Sequence, residues 1–439
     1  MPPFRRWADL PPELLCRIGD ILDDLKCYGS ARGACTAWRR ALAPPCPSLL
    51  LVPDDARSCR PSAASLPTRR CFDLKTIPSG ARCVGSSNGW LALSVDDRST
   101  FFSLFNPITG AEITLPPLIY KGWWASKSKL VFAPDPAGDD FAAAVICDKA
   151  SLAYVTAGAR RWAVLDPVLL TPGDHFTDAV YNEKAGKGSV YCLTHYGDVH
   201  VLRLPERRRR EPITVGKPSS RLSLPADADQ QHDMSWRRYI GPDLNAPATV
   251  APLLSLPFDP ATGFAAPYNT VSAFTSVKNL VFCEGNLYQV WRNASCTVTV
   301  KLPGGGRRRV AENEVLVLRY YPRRRPCWDA VDNLGGYSVF LGRNNAASMY
   351  AQGGRVQGLE GNCVYWIGGR GRDQGMVFDM ATGRTTACRL PAALGVAPQS
   401  TFCWYLLSDS CNYNGGKRVY QTRARVRANR EKQEDSMEE

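Results

Sequence analysis

The sequence predicts a small all-α module at the N-terminus followed by a large all-β domain, a β-propeller of six or seven blades. Apolar residues recur at helical spacing near the start of the chain, between residues 10 and 42. From about residue 70, short β-branched and aromatic runs alternate with Gly, Asn, Asp and Pro. Short phrases also recur within this second region. Because these repeats are degenerate, a β-sandwich or two smaller β domains remain the alternatives.

The N-terminal segment has the signals of a helix start, body and end. Asp9 can cap a helix whose first turn is Pro11–Glu13, where a missing N–H costs nothing and an acidic side chain suits the helix dipole. Gly29 and Gly33 interrupt the pattern, and a second short helix is expected over Ala34–Leu42 before a cluster of prolines. The large aliphatic residues of the first helix are Leu14, Leu15, Ile18, Ile21, Leu22 and Leu25.

This helical module is too short to close a core of its own, so its apolar face is expected to meet another surface. Burial of six large aliphatic side chains contributes on the order of 10 kcal/mol, which is comparable with the cost of association. Two surfaces are candidates. One is a helix of a partner protein, and the other is the next domain of the same chain.

The order of residues distinguishes these candidates. The pattern L-P-x-E-L-L-x-x-I-x-x-x-L, followed by C-x-x-W-R, resembles the F-box, which docks a protein onto the Skp-type adaptor of a cullin-RING ubiquitin ligase. The matching residues are Leu10, Pro11, Glu13, Leu14, Leu15, Ile18, Leu22, Cys35, Trp38 and Arg39. After Leu22 the sequence departs from the family, because residues 28–31 replace its acidic-plus-leucine step. The resemblance implies that the adaptor-binding residues are Trp7, Leu10, Pro11, Glu13, Leu14, Leu15, Ile18, Leu22 and Trp38.

Composition is that of a cytoplasmic or nuclear protein. The chain has 439 residues, of which 44% are hydrophobic and 22% charged, enough for two domains. The first residues lack the apolar stretch of a signal peptide, and no run approaches the roughly 18 apolar residues of a membrane span. The 16 cysteines are scattered without a C-x-x-C motif, so free and mostly buried thiols are expected.

Composition shifts divide the chain into four parts. The helical module is expected over 1–46, a linker over 47–69, the propeller over 70–411 and a polar, disordered tail over 412–439. The linker includes one short strand at its start. Residues Pro205–Pro252 are expected to be a long excursion between strands.

Two recurring phrases indicate the blades. Strands follow a Gly or Asn turn in NGWLALS, GSVYCL, GNLYQVW and GNCVYWI. Aromatic strand ends precede tight turns in FNPITG at Phe105, FDPATG at Phe258 and FDMATG at Phe378. Such a turn is assigned to the last strands of a blade. At the usual 40–50 residues per blade, about 340 residues give six or seven blades. Ser400–Leu407 is expected to join the first blade and close the ring.

A wider resemblance covers most of residues 70–410. GSSNGWLALS, SLFNPITGAEITLPP, KNLVFCEGNLYQVWR and LGGYSVFLGRNNAASMYA, followed by GNCVYW, are similar to the plant F-box family with a KIB-type carboxy-terminal domain, formerly a domain of unknown function. The family fold is held to be a kelch-like propeller. The resemblance implies a substrate receptor of an SCF (Skp-cullin-F-box) ubiquitin ligase and names no particular substrate.

The sequence lacks the motifs of an enzyme. It contains no G-x-S-x-G, P-loop or H-E-x-x-H, and no cysteine has a catalytic context. Of the four histidines, His195 and His200 are five apart and would face opposite sides of a strand. We therefore expect turn or surface histidines, no metal, no cofactor and a non-catalytic protein. A propeller enzyme is the first alternative.

The net charge of +13 is concentrated in arginine clusters. Loop arginines beside aromatic residues are expected to bind an acidic or phosphorylated segment of a protein substrate. The candidate substrate-binding residues are Arg307, Arg308, Arg309, Tyr320, Tyr321, Arg323, Arg324, Arg325 and Trp328. The alternatives are ordinary solvated loops or a basic scaffold that binds nucleic acid or acidic proteins without ubiquitination. Nucleic acid is the less favoured partner, and no membrane partner is expected.

Overall fold

The computed structural model describes residues 7–52, 61–74, 77, 81–94, 101–119, 129–134, 136, 141–182, 188–204, 249–252, 264, 266–324, 326–342, 345–354, 358–367, 375–388 and 401–406. Within these ranges a helical module precedes a large all-β propeller, as the sequence predicts. The tail 412–439, the turn at Phe258, Arg325 and most of the excursion after Pro205 lie outside them. None of the described helices is long and apolar enough to cross a membrane.

Three helices form the helical module: α1 (Pro12–Ile21), α2 (Leu25–Ala34) and α3 (Thr36–Ala41), after a 3-10 turn at Trp7–Asp9. The predicted first helix is thus two helices, and the first begins three residues after Asp9. The break occurs because Asp24 caps α2 by accepting a hydrogen bond from the N–H of Cys27 at 3.0 Å. The expectation that Gly29 and Gly33 interrupt the helical pattern is wrong, because both residues lie inside α2.

Arg70 holds the end of α1 against the propeller. Its guanidinium donates hydrogen bonds to the carbonyl oxygens of Gly19, of Asp20 at 2.9 Å and of Leu22 at 2.8 Å. The last carbonyls of a helix have no partner within the helix, so this side chain satisfies them from outside. The chain after α1 also pairs with the propeller through an isolated parallel bridge between Asp24 and Asp73.

Six sheets of four or five strands follow in the described part of the chain. Sheet 1 contains β1 (Ser48–Val52), β2 (Ser62–Ser65) and β3 (Cys71–Asp73). Sheet 2 contains β4 (Arg82–Ser87), β5 (Trp90–Ser94), β6 (Phe102–Phe105) and β7 (Glu112–Thr114). Sheet 3 contains β8 (Lys129–Phe132), β9 (Ala142–Ile146), β10 (Leu152–Thr156) and β11 (Ala163–Val164). Sheet 4 contains β12 (Phe176–Asn182), β13 (Ser189–Thr194), β14 (Val199–Arg203) and β15 (Thr249–Pro252).

Sheet 5 begins after a short helix, α4 (Tyr268–Val271), and a 3-10 turn at Ser272–Phe274. Sheet 5 contains β16 (Val277–Cys283), β17 (Asn286–Arg292), β20 (Val315–Tyr320) and β21 (Trp328–Ala330). A separate hairpin of β18 (Val298–Lys301) and β19 (Arg307–Val310) connects β17 to β20. Sheet 6 contains β22 (Tyr337–Leu341), β23 (Ala346–Tyr350), β24 (Cys363–Ile367), β25 (Gly375–Asp379) and β26 (Arg384–Cys388), with a 3-10 turn at Gln352–Gly354. The last strand is β27 (Thr401–Tyr405).

Five of these six described sheets are regular four-stranded antiparallel blades, so the predicted number of six or seven blades is wrong. Sheet 6 departs from the blade pattern because it has five strands in the order β23-β22-β24-β25-β26, and β22 runs parallel to β24. The prediction divided chain length by the usual blade length. The hairpin β18–β19 uses residues without adding a blade, and residues 205–248 lie outside the described part of the chain.

The recurring phrases lie where the sequence predicted. The four Gly or Asn turns precede β5, β13, β17 and β24. FNPITG connects the last two strands of sheet 2, and FDMATG connects the last two of sheet 6. In the first turn, the Asn106 side chain accepts from the N–H groups of Ile108 and Thr109 at 3.0 Å, and Gly110 has a positive φ of 75°.

The C-terminal strand closes the ring, as predicted for Ser400–Leu407. β27 pairs antiparallel with β1, with Ser48 opposite Tyr405 and Val52 opposite Thr401. β27 is thereby the innermost strand of sheet 1, and sheet 1 combines both ends of the propeller. The segment 47–69 is therefore not a linker, because it contains β1 and β2 and follows the helices directly.

A buried carboxylate joins three sheets at their innermost strands. Asp178 in β12 is 1% exposed and pairs with the ammonium group of Lys129 in β8. Its other oxygen accepts from Asn279 Nδ2 at 3.3 Å and from the N–H of Leu280 at 2.7 Å, both in β16. These bonds therefore fix the positions of sheets 3, 4 and 5 relative to one another.

An amide plays the same part on the opposite side of the ring. Asn345, just before β23, donates to Ser86 Oγ at 2.5 Å and to the carbonyl of Trp404 at 2.6 Å, and it accepts from the N–H of Trp404 at 3.0 Å. These bonds connect sheets 6, 1 and 2. Ser348 in β23 donates to the carbonyl of Phe282 in β16 at 2.6 Å, which links sheets 6 and 5.

We predict that removing β27 prevents folding. A chain that ends at Gln399 leaves β1 with an unpaired edge and removes the strand that packs against β4 of sheet 2, and exposed edges promote aggregation. Size-exclusion chromatography and thermal unfolding should show aggregates without a cooperative transition. A chain that ends at Gly416 keeps β27 and is the control. A soluble, cooperatively melting chain ending at Gln399 would contradict the prediction.

We also predict that Asp178→Leu lowers the free energy of unfolding by about 3–5 kcal/mol, because it leaves the Lys129 ammonium buried and unpaired. Lys129→Met should cost less, since Asn279 and Leu280 still bind the carboxylate. Urea-induced unfolding followed by circular dichroism measures both. The exposed Asp332 provides the control Asp332→Leu, expected to change stability by less than about 0.5 kcal/mol. Equal stability of Asp178→Leu and the wild type would refute the role of this carboxylate.

Candidate functional site

The helical module presents an exposed apolar surface that is formed mainly by its first turn and α1. Trp7 is 73% exposed, Leu14 43% and Ile21 80%. Of the other predicted adaptor-binding residues, Pro11 and Glu13 are also exposed. We call Trp7, Pro11, Leu14 and Ile21 the apolar surface of the module. Ile21 was not among the predicted binding residues, although it belongs to the apolar pattern of the sequence.

The remaining predicted residues turn partly or wholly inward. Leu15 is buried, whereas Leu10, Ile18, Leu22 and Trp38 are half-buried. The Trp38 indole donates to the carbonyl of Trp7 at 3.2 Å, which fixes the first turn against α3. The structure therefore divides the predicted set into an exposed part and a part that supports the module.

The opposite side of the module packs on the propeller. Leu25, Tyr28 and Leu42 belong to the same hydrophobic cluster as Phe72 of β3 and strands of sheets 1 and 2. The rings of Tyr28 and Phe72 lie 4.9 Å apart, and Arg70 contacts both. Burial raises the pKa of the Tyr28 hydroxyl, which donates to the carbonyl of Ala43 at 2.8 Å. One apolar face of the module is thus covered by the propeller, which is the second of the two surfaces considered from the sequence.

The two described arginine clusters lie at opposite ends of sheet 5. Arg307–Arg309 form β19, whose hairpin enters β20 at Val315, while Arg323 and Arg324 follow the other end of β20 at Tyr320. A strand of six residues spans roughly 20 Å. The structure does not bring the predicted substrate-binding arginines together, because the hairpin and the turn leave the same strand in opposite directions.

Two of the three predicted aromatic anchors are core residues. Tyr320 and Trp328 are each 6% exposed and contact one another edge to face, with ring centres 5.0 Å apart. They belong to the hydrophobic cluster around Trp291. Their role as binding anchors is therefore not supported by the structure, because strand alternation directs them inward.

Tyr321 remains as the aromatic centre of a basic surface. The guanidinium carbon of Arg324 lies 4.0 Å from the centre of its ring, and that of Arg319 lies 5.0 Å away. Arg324 also lies 3.7 Å from the carboxylate of Asp329, and both are more than half exposed. Together with exposed Arg323, these side chains form the Tyr321 surface. The arginine cluster of β19, at the other end of sheet 5, differs from the Tyr321 surface because its Arg308 forms an ion pair with Glu314 at 3.0 Å.

A polar group that was not predicted from the sequence lies where β12 and β16 begin. The rings of His175 and His195 stack with centres 5.1 Å apart, and the carboxylate of Asp174 accepts from the N–H of Tyr196 at 3.1 Å. Desolvation by burial is the main cause that lowers the pKa of His195. The pairing of β12 with β13 places the two histidines opposite each other, so a hairpin assignment from the sequence would have found them.

Two other basic side chains near this end are buried. His200 was expected in a turn or on the surface but is buried in β14, where burial lowers its pKa and its ring packs against Phe176. Lys278 is 4% exposed and donates to the carbonyls of Ser272 and Thr275 at 2.6 and 2.8 Å. Burial lowers the pKa of Lys278 to about 8. Among the described residues there is no group of three or more His, Cys, Asp or Glu side chains arranged to hold a metal.

Comparisons with known proteins concern the propeller. A family model described as the KIB1-4 beta-propeller matches residues 63–388. No curated protein matches the chain. Among solved structures, the chain is similar to the WD40 domain of SCAP from fission yeast, with 8% sequence identity and a TM-score of 0.30. That match covers 72% of this chain and 57% of the other.

Proposed function

Because this chain belongs to the KIB1-4 beta-propeller family, we propose that it is the substrate-recognition subunit of an SCF E3 ubiquitin ligase, an F-box protein of the plant KIB type with a kelch-like propeller. In this proposal the helical module binds the Skp-type adaptor, and through it the cullin and the RING subunit. The propeller binds the protein to be ubiquitinated. The chain itself is non-catalytic and acts in the cytoplasm or nucleus.

The observation that carries the proposal is the apolar surface of the module. Trp7, Leu14 and Ile21 remain exposed although the other face of the module is buried against the propeller. Large aromatic and aliphatic side chains exposed next to one another are typical of protein interfaces. An adaptor helix packed on this surface would bury them, and the F-box pattern in the sequence is what favours this partner.

The attachment of the module supports a receptor role. Arg70 binds the last carbonyls of α1, and Tyr28 packs on Phe72. β1 begins seven residues after α3 ends, so the described chain between module and propeller is short. A substrate bound to the propeller would therefore be held at a defined distance from the ligase, which favours transfer of ubiquitin to lysines within reach.

We expect that Trp7→Ala combined with Leu14→Asp abolishes co-purification of the Skp-type adaptor. Both residues are exposed, so the variant should fold, and the aspartate would place an unpaired charge in the interface at a cost of several kcal/mol. Affinity purification followed by mass spectrometry measures the adaptor and any other bound protein together. The matched control is Leu169→Asp, since Leu169 is 96% exposed and lies in the propeller. Unchanged recovery of the adaptor by the double variant would reject the F-box assignment.

The Tyr321 surface is the proposed contact for the substrate. Arginine binds carboxylate and phosphate groups through paired hydrogen bonds, and stacking on Tyr321 holds Arg319 and Arg324 in place. A substrate segment that is acidic or phosphorylated fits this chemistry. The arginines of β19 lie at the other end of the sheet and are not part of this contact.

We predict that Arg323→Glu with Arg324→Glu removes a substrate from the purified complex while the adaptor stays bound, because the reversed charges repel an acidic segment. The control is Arg307→Glu with Arg309→Glu, which makes the same change of charge at the opposite end of β20. Retention of every non-adaptor partner by the first variant, also at raised salt, would show that this surface does not bind the substrate.

A second candidate function is that of a basic scaffold without ubiquitination. The observation that favours it is the same stacking of arginine and tyrosine side chains, which suits a base or a phosphate of nucleic acid. Strongly salt-dependent binding of an oligonucleotide that the Trp7→Ala, Leu14→Asp variant retains would support this function. The point variants suit this test better than deletion of the module, because deletion would expose Phe72.

A further inference from the structure

Arg292 carries a buried guanidinium that forms no ion pair with a carboxylate of the described residues. It is the last residue of β17 and is 8% exposed. Within the described part of the chain, its Nε and Nη1 atoms have no hydrogen-bond partner, and its guanidinium carbon lies 5.3 Å from the centre of the Trp366 ring. Burial alone lowers the pKa of Arg292, to about 10, so the group is still charged at neutral pH.

Other deeply buried cations of the described propeller have partners. Lys129 pairs with Asp178, and Lys278 donates to the carbonyls of Ser272 and Thr275. A buried charge without such compensation is costly to the folded state. Unsatisfied buried groups are uncommon in native proteins, and a bound ion is one of the explanations for them.

Trp366 adds a second unsatisfied donor next to Arg292. It lies in β24 of sheet 6 and is 1% exposed, and none of the described residues accepts a hydrogen bond from its indole N–H. Arg292 of sheet 5 and Trp366 of the neighbouring sheet 6 thus lie side by side, and each has hydrogen-bond donors that no described residue binds. Since Arg292 ends its strand, the site is at the end of sheet 5 where β16 begins, away from the Tyr321 surface.

We propose that Arg292 and Trp366 form a binding site for an oxyanion, a carboxylate or phosphate group, between sheets 5 and 6. A guanidinium binds such groups through charge-assisted hydrogen bonds, and these are strong where water is excluded. The tryptophan face holds the guanidinium, and its N–H is available as a further donor. The site does not depend on the ligase role. The oxyanion is either a free small molecule or part of an acidic or phosphorylated side chain of a bound protein.

The experiment measures thermal unfolding of the full chain in sodium phosphate and in sodium acetate, each against sodium chloride at equal ionic strength. Specific binding gives a saturable rise in Tm, about 1–2 °C at roughly ten times Kd for a chain of this size. Arg292→Met should lose this response. In the absence of anion its Tm should exceed that of the wild type, because the unpaired charge is gone.

The matched control is Arg308→Met, which removes the same charge near the same end of sheet 5. Arg308 is paired with Glu314, so its loss should not raise Tm and should leave the response to the anion intact. Isothermal titration with O-phosphoserine and with inorganic phosphate then compares the two sources. Tighter binding of phosphoserine assigns the site to a side chain of a bound protein, and equal affinity assigns it to a free anion.

Two results would overturn the proposal. If neither phosphate nor acetate raises the Tm of the wild type above that in chloride, no oxyanion binds. If Arg292→Met keeps the full response, the anion binds elsewhere.

Discussion

The propeller depends on the burial of Asp178 among its innermost strands. This single carboxylate binds Lys129 of sheet 3 and two donors of sheet 5, so three sheets share one charge. In a low-dielectric interior these bonds are strong when complete and costly when one partner is lost. Sheets packed by apolar contact alone could slide, because hydrophobic attraction has no direction. Asn345 fixes the other half of the ring in the same manner.

A closed ring with a rigidly attached module explains the arrangement of the surfaces. The strand β27 comes from the end of the described chain, yet it pairs with the strand that follows the helices. The module can therefore pack on the first two sheets through Tyr28 and Arg70 without an intervening linker. Its apolar surface, the Tyr321 surface and the proposed Arg292 site are consequently held in fixed relative positions. Such geometry suits a protein that brings two partners together.

Local chemistry made several features of the fold predictable. In the turn of sheet 2, the Asn106 side chain accepts a hydrogen bond from the backbone and Gly110 adopts a positive φ. Both roles are typical of these residue types, so the position of the hairpin was predicted correctly. Asp24 shows the limit of this reasoning. Aspartate can cap a helix or lie within one, and the bridge to Asp73, far along the chain, accompanies its role as a cap. Gly29 shows the same limit: it lies inside α2, and a Cβ there would lie 3.2 Å from Ile108 of sheet 2, a contact that the local sequence does not reveal.

The helical module before a β domain, the tight turns, the propeller class and the pairing of the last described strand could all be predicted from the sequence, because each depends on neighbouring residues or on a repeated pattern. The number of regular blades, the inward direction of Tyr320 and Trp328, and the separation of the arginine clusters became known from the three-dimensional structure. It alone placed Arg292 on Trp366. These features depend on which strands become neighbours, and strands distant in the chain meet only when the ring closes.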